Sequence, residues 1–154
     1  MKRSTVLTAI AALVVLGPGA ARAAQLTRTD EQWRKLLTPE AYEVLRHAGT
    51  ERAFSSPLDE EKRAGTYSCA GCDLALYSSK TKYDSGSGWP SFWAPLANAV
   101  VTKSDTSMLM VRDAVSCRRC DGHLGHVFDD GPKPTGLRYC MNGVALRFRP
   151  GRAA

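Results

Sequence analysis

Long apolar runs are missing from this chain. The longest stretch in the 154 residues covers 6–16, well short of the ~20 needed to cross a bilayer. There is no heptad pattern, no repeat at a fixed period and no low-complexity segment, which excludes coiled coils, solenoids and extended disorder. Charge of one sign is not in large excess: Lys+Arg 21 against Asp+Glu 15 gives +6. Aromatics make up 8% and histidine occurs only 3 times. A basic stripe interleaved with exposed aromatics, as nucleic-acid binding needs, is absent. The length suits one domain.

The N-terminus reads as a secretory signal peptide. Met1-Lys2-Arg3 is a positive start, an apolar run follows, Gly17-Pro18-Gly19 breaks it, and Ala21-Arg22-Ala23 is a small-x-small cleavage site. An anchor helix or a buried first helix is the rival reading. No cysteine follows the run and no twin-arginine pair precedes it, so the general secretion route is expected. Residues 1–23 are then the leader and 24–154 the single domain, exported to a compartment such as the bacterial periplasm, with no membrane attachment after cleavage. Cleavage removes Lys2, Arg3 and Arg22 and lowers the charge from +6 to +3. Nothing in the sequence demands more than a monomer.

Two short helices are expected first. Thr29 caps one, with Gln32 at the capping-box position and Trp33, Leu36 and Leu37 as its apolar face. Thr38-Pro39-Glu40 starts the other, with Ala41, Leu45 and Ala48 on its face and Gly49 as its stop. From Gly65 onward short strands dominate: 66–68, 74–77, 100–102, 108–111, 127–128, 139–141 and 145–148, bounded by Gly, Pro, Asp, Asn or Ser. The fold class is mainly β, an antiparallel domain with a helical N-terminal cover.

Five cysteines carry the chemistry. Cys69 with Cys72 and Cys117 with Cys120 form two Cys-x-x-Cys pairs, the spacing of a four-cysteine site for Zn²⁺. Disulfides or redox pairs are the alternative, since an exported protein lives where disulfides form. Neither pair opens the helix of a thioredoxin-like unit. Cys140 stands apart, either inert and buried or reactive. Arg138 and Asn142 lie two residues to either side, so on a strand a guanidinium, a thiol and an amide share one face. A nearby cation favours the thiolate. His123 and His126 are expected in a Gly-containing turn where they converge, or else are surface histidines. Trp89, after the Gly/Ser-rich residues 84–88, is either core packing or the wall of a small apolar pocket.

Together these residues resemble the B-type methionine sulfoxide reductases, specific for the R epimer. The resemblance rests on Thr50-Glu51-Arg52-Ala53-Phe54, both Cys-x-x-Cys pairs, Gly88-Trp89-Pro90-Ser91-Phe92, His123-Leu124-Gly125-His126-Val127-Phe128-Asp129-Asp130-Gly131-Pro132 and Arg138-Tyr139-Cys140-Met141-Asn142, in family order over most of residues 29–149. It implies two antiparallel β-sheets around one structural zinc. It also implies Cys140 as nucleophile, His123 and His126 as the pair that binds and protonates the sulfoxide oxygen, and Arg138 as the thiolate's guanidinium. Asn142 is implied as a hydrogen-bonding partner, and Trp89 with Phe128 as the walls holding the methyl group. The implied partners are oxidised proteins carrying methionine-R-sulfoxide and a thiol reductant. One departure stands out: Ser87 occupies the position where many members carry a resolving cysteine. The chain thus resembles the subgroup without one, and Cys140 is expected to be recycled by an external thiol, thioredoxin-like or small, or by a zinc-pair cysteine at the cost of the metal. A zinc-stabilised binding module and a disulfide-exchange protein are the rival functions.

Overall fold

The computed structural model describes residues 25–106 and 111–154. The leader expected over 1–23 and most of the strand expected over 108–111 lie outside the described residues. Among those described, no helix is long and apolar enough to cross a membrane.

Helix α1 (Asp30–Leu36) opens with the expected capping box: Gln32 N–H donates to Thr29, and the Gln32 side chain accepts from the Thr29 N–H. Helix α2 (Pro39–His47) is capped by Thr38. Leu36 does not join the core as expected. It is 41% exposed, whereas Trp33 and Leu37 are buried, because successive helical residues turn by about 100° and the narrow contact face admits only those two. The left-handed residue ending α2 is Ala48 (φ 54). Gly49 follows it, and both N–H groups reach the carbonyl of Glu43. A Cβ on Gly49 would stand 3.2 Å from that oxygen.

Among the described residues nine strands follow: β1 (Gly65–Cys69), β2 (Ala75–Ser78), β3 (Lys82–Tyr83), β4 (Ser91–Phe92), β5 (Val100–Asp105), β6 (Arg112–Cys117), β7 (His123–Phe128), β8 (Arg138–Met141) and β9 (Leu146–Pro150). They form a three-stranded sheet, β2-β1-β9, and a six-stranded sheet, β3-β4-β8-β7-β6-β5, with every pairing antiparallel. The chain is therefore mainly β with two sheets and two short helices, as the sequence predicts. Tyr67, Tyr77, Phe92, Leu76, Leu124, Met141 and Val115 are fully buried in the core. Tyr77 stacks on Phe92 with centroids 4.3 Å apart, and its hydroxyl meets the Met141 sulfur at 3.1 Å. Burying a tyrosine without leaving its O–H unpaired is what makes such a core tolerable.

Two features differ from the sequence reading. The histidine pair lies on strand β7, not in a turn. Gly125 is there because β8 passes too close for a side chain: a Cβ would sit 2.1 Å from the Cys140 carbonyl oxygen. Asn142 falls one residue past β8, at the head of a 3₁₀ turn (Gly143–Ala145), so the strand-face alternation does not extend to it.

Candidate active site

The two cysteine pairs occupy matching turns. Cys69 ends β1 and Cys72 lies in the turn to β2; Cys117 ends β6 and Cys120 lies in the turn to β7. In each turn an N–H four residues on returns to the first cysteine's carbonyl, from Asp73 at 2.9 Å and from Asp121 at 2.9 Å. Both aspartates are left-handed, with φ 61 and 55, a conformation that Asp tolerates better than most residues. The four Sγ atoms lie within 4.8 Å of one another, with Cys69–Cys120 at 3.6 Å and Cys72–Cys117 at 3.5 Å. A tetrahedron of sulfurs about 2.3 Å from one Zn²⁺ has edges of about 3.8 Å, so the donor set fits that ion. Four thiols this close cannot all ionise without a cation between them. One pair belongs to each sheet, so a metal here ties the two sheets together. The helical cover closes over the same place. Arg46 from α2 donates to the Cys120 carbonyl at 3.0 Å, and Arg119 donates to that of Cys72 at 3.1 Å.

Cys140 sits on β8, in register with Ser91 of β4 on one side and His126 of β7 on the other. Its thiol opens into a cavity of 120 Å³ lined by Thr50, Trp89, Arg112, Gly125, His126, Phe128, Cys140 and Asn142. That volume suits one short side chain end. Burial pushes the Cys140 thiol above its ordinary range, opposed by Ser87, the Arg138 charge and Ser91. Ser87 Oγ stands 3.7 Å from the sulfur and belongs to a hydroxyl chain, with Ser85–Ser87 at 2.8 Å and Ser85–Ser91 at 2.7 Å.

A bulge brings the histidines together. His123 and His126 are three apart and would face opposite sides of a regular strand. The β6–β7 register runs Ser116 opposite His123, then Val115 opposite Gly125, so Leu124 is an extra residue. The rings meet edge to face at 5.2 Å. Only His126 lines the cavity, and its Nε2 lies 3.0 Å from Asp105. His123 is 8% exposed, and its Nε2 finds no partner among the described residues. Burial, then the neighbouring His126, lowers its pKa to about 4. A histidine that titrates near 6.5 unfolded and near 4 folded favours the folded state in its neutral form. Its contribution is complete above pH 6.5 and falls away as pH drops toward 4. Urea unfolding should therefore show about 2 kcal/mol less stability at pH 5 than at pH 7 from this group. The His123→Gln variant should flatten that difference; an unchanged pH slope would refute the assignment.

The remaining sequence candidates divide. Trp89 is half-buried in the cavity wall, with its indole N–H donating to the Glu51 carbonyl at 3.1 Å, so it is not simple core packing. Phe128 forms part of the same wall. Asn142 is buried, donates to the Leu124 carbonyl at 3.0 Å and accepts from the Glu51 N–H at 2.9 Å. Arg138 does not line the cavity. It forks onto Asp130 with two bonds of 2.7 Å and lies over Phe128, 4.4 Å from the ring centre. Its charge still reaches Cys140. Sequence reasoning missed Arg112 and Asp105. They face each other across β5 and β6, paired at 3.3 Å beside His126, and only strand register reveals them.

A four-cysteine cluster joining two antiparallel sheets, with a fifth cysteine in a histidine- and tryptophan-lined pocket, is the architecture of one class, and comparison with known proteins agrees. Residues 37–150 match the SelR domain family. The chain belongs to that family, the MsrB-type peptide methionine sulfoxide reductases. A Pseudomonas putida protein named peptide methionine sulfoxide reductase MsrB is 56% identical over 127 residues, 82% of this chain and 96% of its own. One of the same name from Leptospira interrogans is 53% identical over 126 residues, 81% of this chain and 96% of its own. The Yippee-like domain of Mis18 matches at TM-score 0.47 and 18% identity, over 56% of this chain and 96% of that one, a likeness too loose to bear on the site.

Proposed function

We propose that this protein reduces the R epimer of methionine sulfoxide in oxidised proteins, with Cys140 as nucleophile, as an exported repair enzyme. The observation that carries the reading is the Cys140 thiol opening, beside His126 and Trp89, into a cavity of 120 Å³. The sulfoxide methyl group packs against Trp89 and Phe128, which leaves the oxygen toward His126. Cys140 sulfur attacks the sulfoxide sulfur as the S–O bond breaks. The oxygen, once protonated, leaves as water with the electron pair of that bond, and a sulfur–sulfur sulfonium bond joins Cys140 to the methionine sulfur. Water then attacks the Cys140 sulfur, the sulfur–sulfur bond breaks with its electron pair going to methionine, and Cys140 becomes a sulfenic acid. The attacking form is the thiolate, so the thiol must shed its proton against a burial that raises its pKa. His126 relays a proton to the departing oxygen, aided by the Asp105 carboxylate at 3.0 Å, while His123 packs against its ring. Arg138 and Ser87 favour negative charge on sulfur during attack. Asn142 holds the β8 end in place.

The four zinc-pair cysteines would hold one Zn²⁺, whose role is to join the sheets and not to touch substrate. With a hydroxyl at Ser87, the sulfenic acid is met by two external thiols in turn. The first forms a mixed disulfide and releases water; the second frees Cys140 and leaves as the oxidised thiol. The reductant would be a thioredoxin-like protein or a small thiol outside the cytoplasm, in keeping with the leader expected over residues 1–23.

Each sulfoxide epimer of a model peptide, assayed with a chemical dithiol, tests this. Turnover is expected on the R epimer only. One turnover without thiol should leave Cys140 carrying one oxygen, with the four zinc-pair cysteines reduced. Ser87→Cys should convert that product to a disulfide with Cys140, since the Ser87 oxygen already lies 3.7 Å from the sulfur. No turnover on either epimer refutes the reading. Zinc release with a disulfide to a metal-pair cysteine refutes the division of the five thiols.

A further inference from the structure

The segment Thr50-Glu51-Arg52-Ala53-Phe54 belongs to no strand or helix, yet the site is hung on it. Glu51 uses every polar group it has. Its N–H donates to the Asn142 side chain at 2.9 Å, and its carbonyl accepts the Trp89 indole N–H at 3.1 Å. Its carboxylate accepts the backbone N–H of Gly143 at 2.5 Å and of Val144 at 3.0 Å. Those N–H groups begin the 3₁₀ turn that follows Cys140 and Asn142, where a carboxylate bond is charge-assisted. Three residues on, the Phe54 N–H donates to the Gly88 carbonyl at 2.7 Å. The Phe54 ring lies so close to Gly88 that a Cβ there would be 2.8 Å from it. Phe54 is 72% exposed and left-handed at φ 61, a conformation a bulky residue keeps only when its surroundings hold it. Thr50, at the head of the segment, lines the cavity.

We propose that this segment is a positioning strap, with Glu51 as its anchor, that sets the distance between Trp89 and Cys140 and so the size of sulfoxide substituent the cavity accepts. The Trp89 ring is tied at its N–H by Glu51 and at its neighbour Gly88 by Phe54. The turn after Cys140 is tied to the same Glu51. Wall and nucleophile thus share one tether, although they come from distant parts of the chain. Displacement of a reacting group by about 1 Å can cost about 10²-fold, so such a tether has catalytic weight. This inference rests on the reductase reading for its substrate.

Glu51→Gln tests it. Glutamine has the same size, but its amide offers one acceptor where the carboxylate offered two, and it turns an N–H toward a backbone N–H. The variant should bind zinc fully and its Cys140 should be alkylated by iodoacetamide within about twofold of the parent rate. The KM for a methyl R-sulfoxide peptide should rise about tenfold, with kcat changed less. The preference for methyl over ethyl sulfoxide should fall about tenfold, the scale on which a pocket reads one methylene. The Trp89 indole N–H, assigned in ¹⁵N spectra through Trp89→Phe, should exchange faster with solvent. A folded Glu51→Gln with indole exchange and methyl preference both within about twofold of the parent overturns the proposal. Should that variant fail to fold, Phe54→Ala decides, since its side chain is largely exposed. A rise in indole exchange with reduced methyl preference supports the strap, and no change in either overturns it. A parent inactive on both epimers refutes the reductase reading, and indole exchange alone then judges the strap.

Discussion

Cys140→Ser should abolish sulfoxide reduction and leave the fold standing. The hydroxyl occupies the same half-buried place on β8 and can still meet Ser87 and Ser91, which already bond through Ser85. Stability should therefore change by no more than about 1 kcal/mol. Chemistry is another matter. A serine hydroxyl at neutral pH lacks the nucleophilicity of sulfur, and among the described residues the side chain at this position is hydrogen-bonded to Ser87, not to a base of the kind that activates hydrolytic serines. Nor can it accept the oxygen in a stable form. Turnover with a chemical dithiol should drop by at least about 10³-fold, equivalent to about 4 kcal/mol of transition-state stabilisation. Thermal unfolding and metal content, measured on the same preparation, should match the parent. Turnover near the parent rate would remove Cys140 from the mechanism, because every other cysteine lies in a metal pair.

Losing the metal should have the larger structural effect. A structural zinc site supplies on the order of 10 kcal/mol, comparable with the whole stability of a domain this size. The location increases the effect here. Each sheet contributes one pair of sulfurs, so opening either pair releases the other sheet as well. Cys69 and Cys117 are almost completely buried, and without a cation four thiols remain crowded within 4.8 Å. Cys69→Ser or Cys117→Ser, or prolonged exposure to a strong chelator, should yield protein without bound zinc and without a cooperative unfolding transition. Circular dichroism with metal analysis checks this. A soluble, active and zinc-free preparation would contradict it.

Local signals were legible in the sequence wherever neighbours in the chain are also neighbours in space. The Thr29 and Thr38 caps, the two cysteine turns and the run around Cys140 all have that property. Features that depend on strand register were not. The histidines converge only because Leu124 is inserted as a bulge, and no pattern of hydrophobicity marks an insertion of one residue. Strand β6 begins Arg112-Asp113-Ala114, whose polar start hides it, yet its Arg112 reaches both the cavity and Asp105. Leu36 is apolar enough for the core, but within α1 only Trp33 is buried. Glu51 acts on residues up to 93 positions away, a separation that spacing rules cannot see.

The ends of the two sheets bear on how this molecule behaves among its proposed clients. An open sheet ends in strands with unpaired backbone groups, and these invite other extended chains to add on. Oxidised proteins are often loosened and offer such chains in abundance. Here the outer strands are poor templates. At the ends of the six-stranded sheet, β3 has only 2 residues and β5 is exposed at Thr102, Lys103 and Ser104. At the ends of the smaller sheet, β2 has 4 residues, and β9 carries Arg147 and Arg149 and closes on Pro150, which has no N–H to give. A damaged polypeptide meeting this surface is therefore steered away from backbone pairing and co-aggregation. It can present one side chain to the Cys140 cavity and leave.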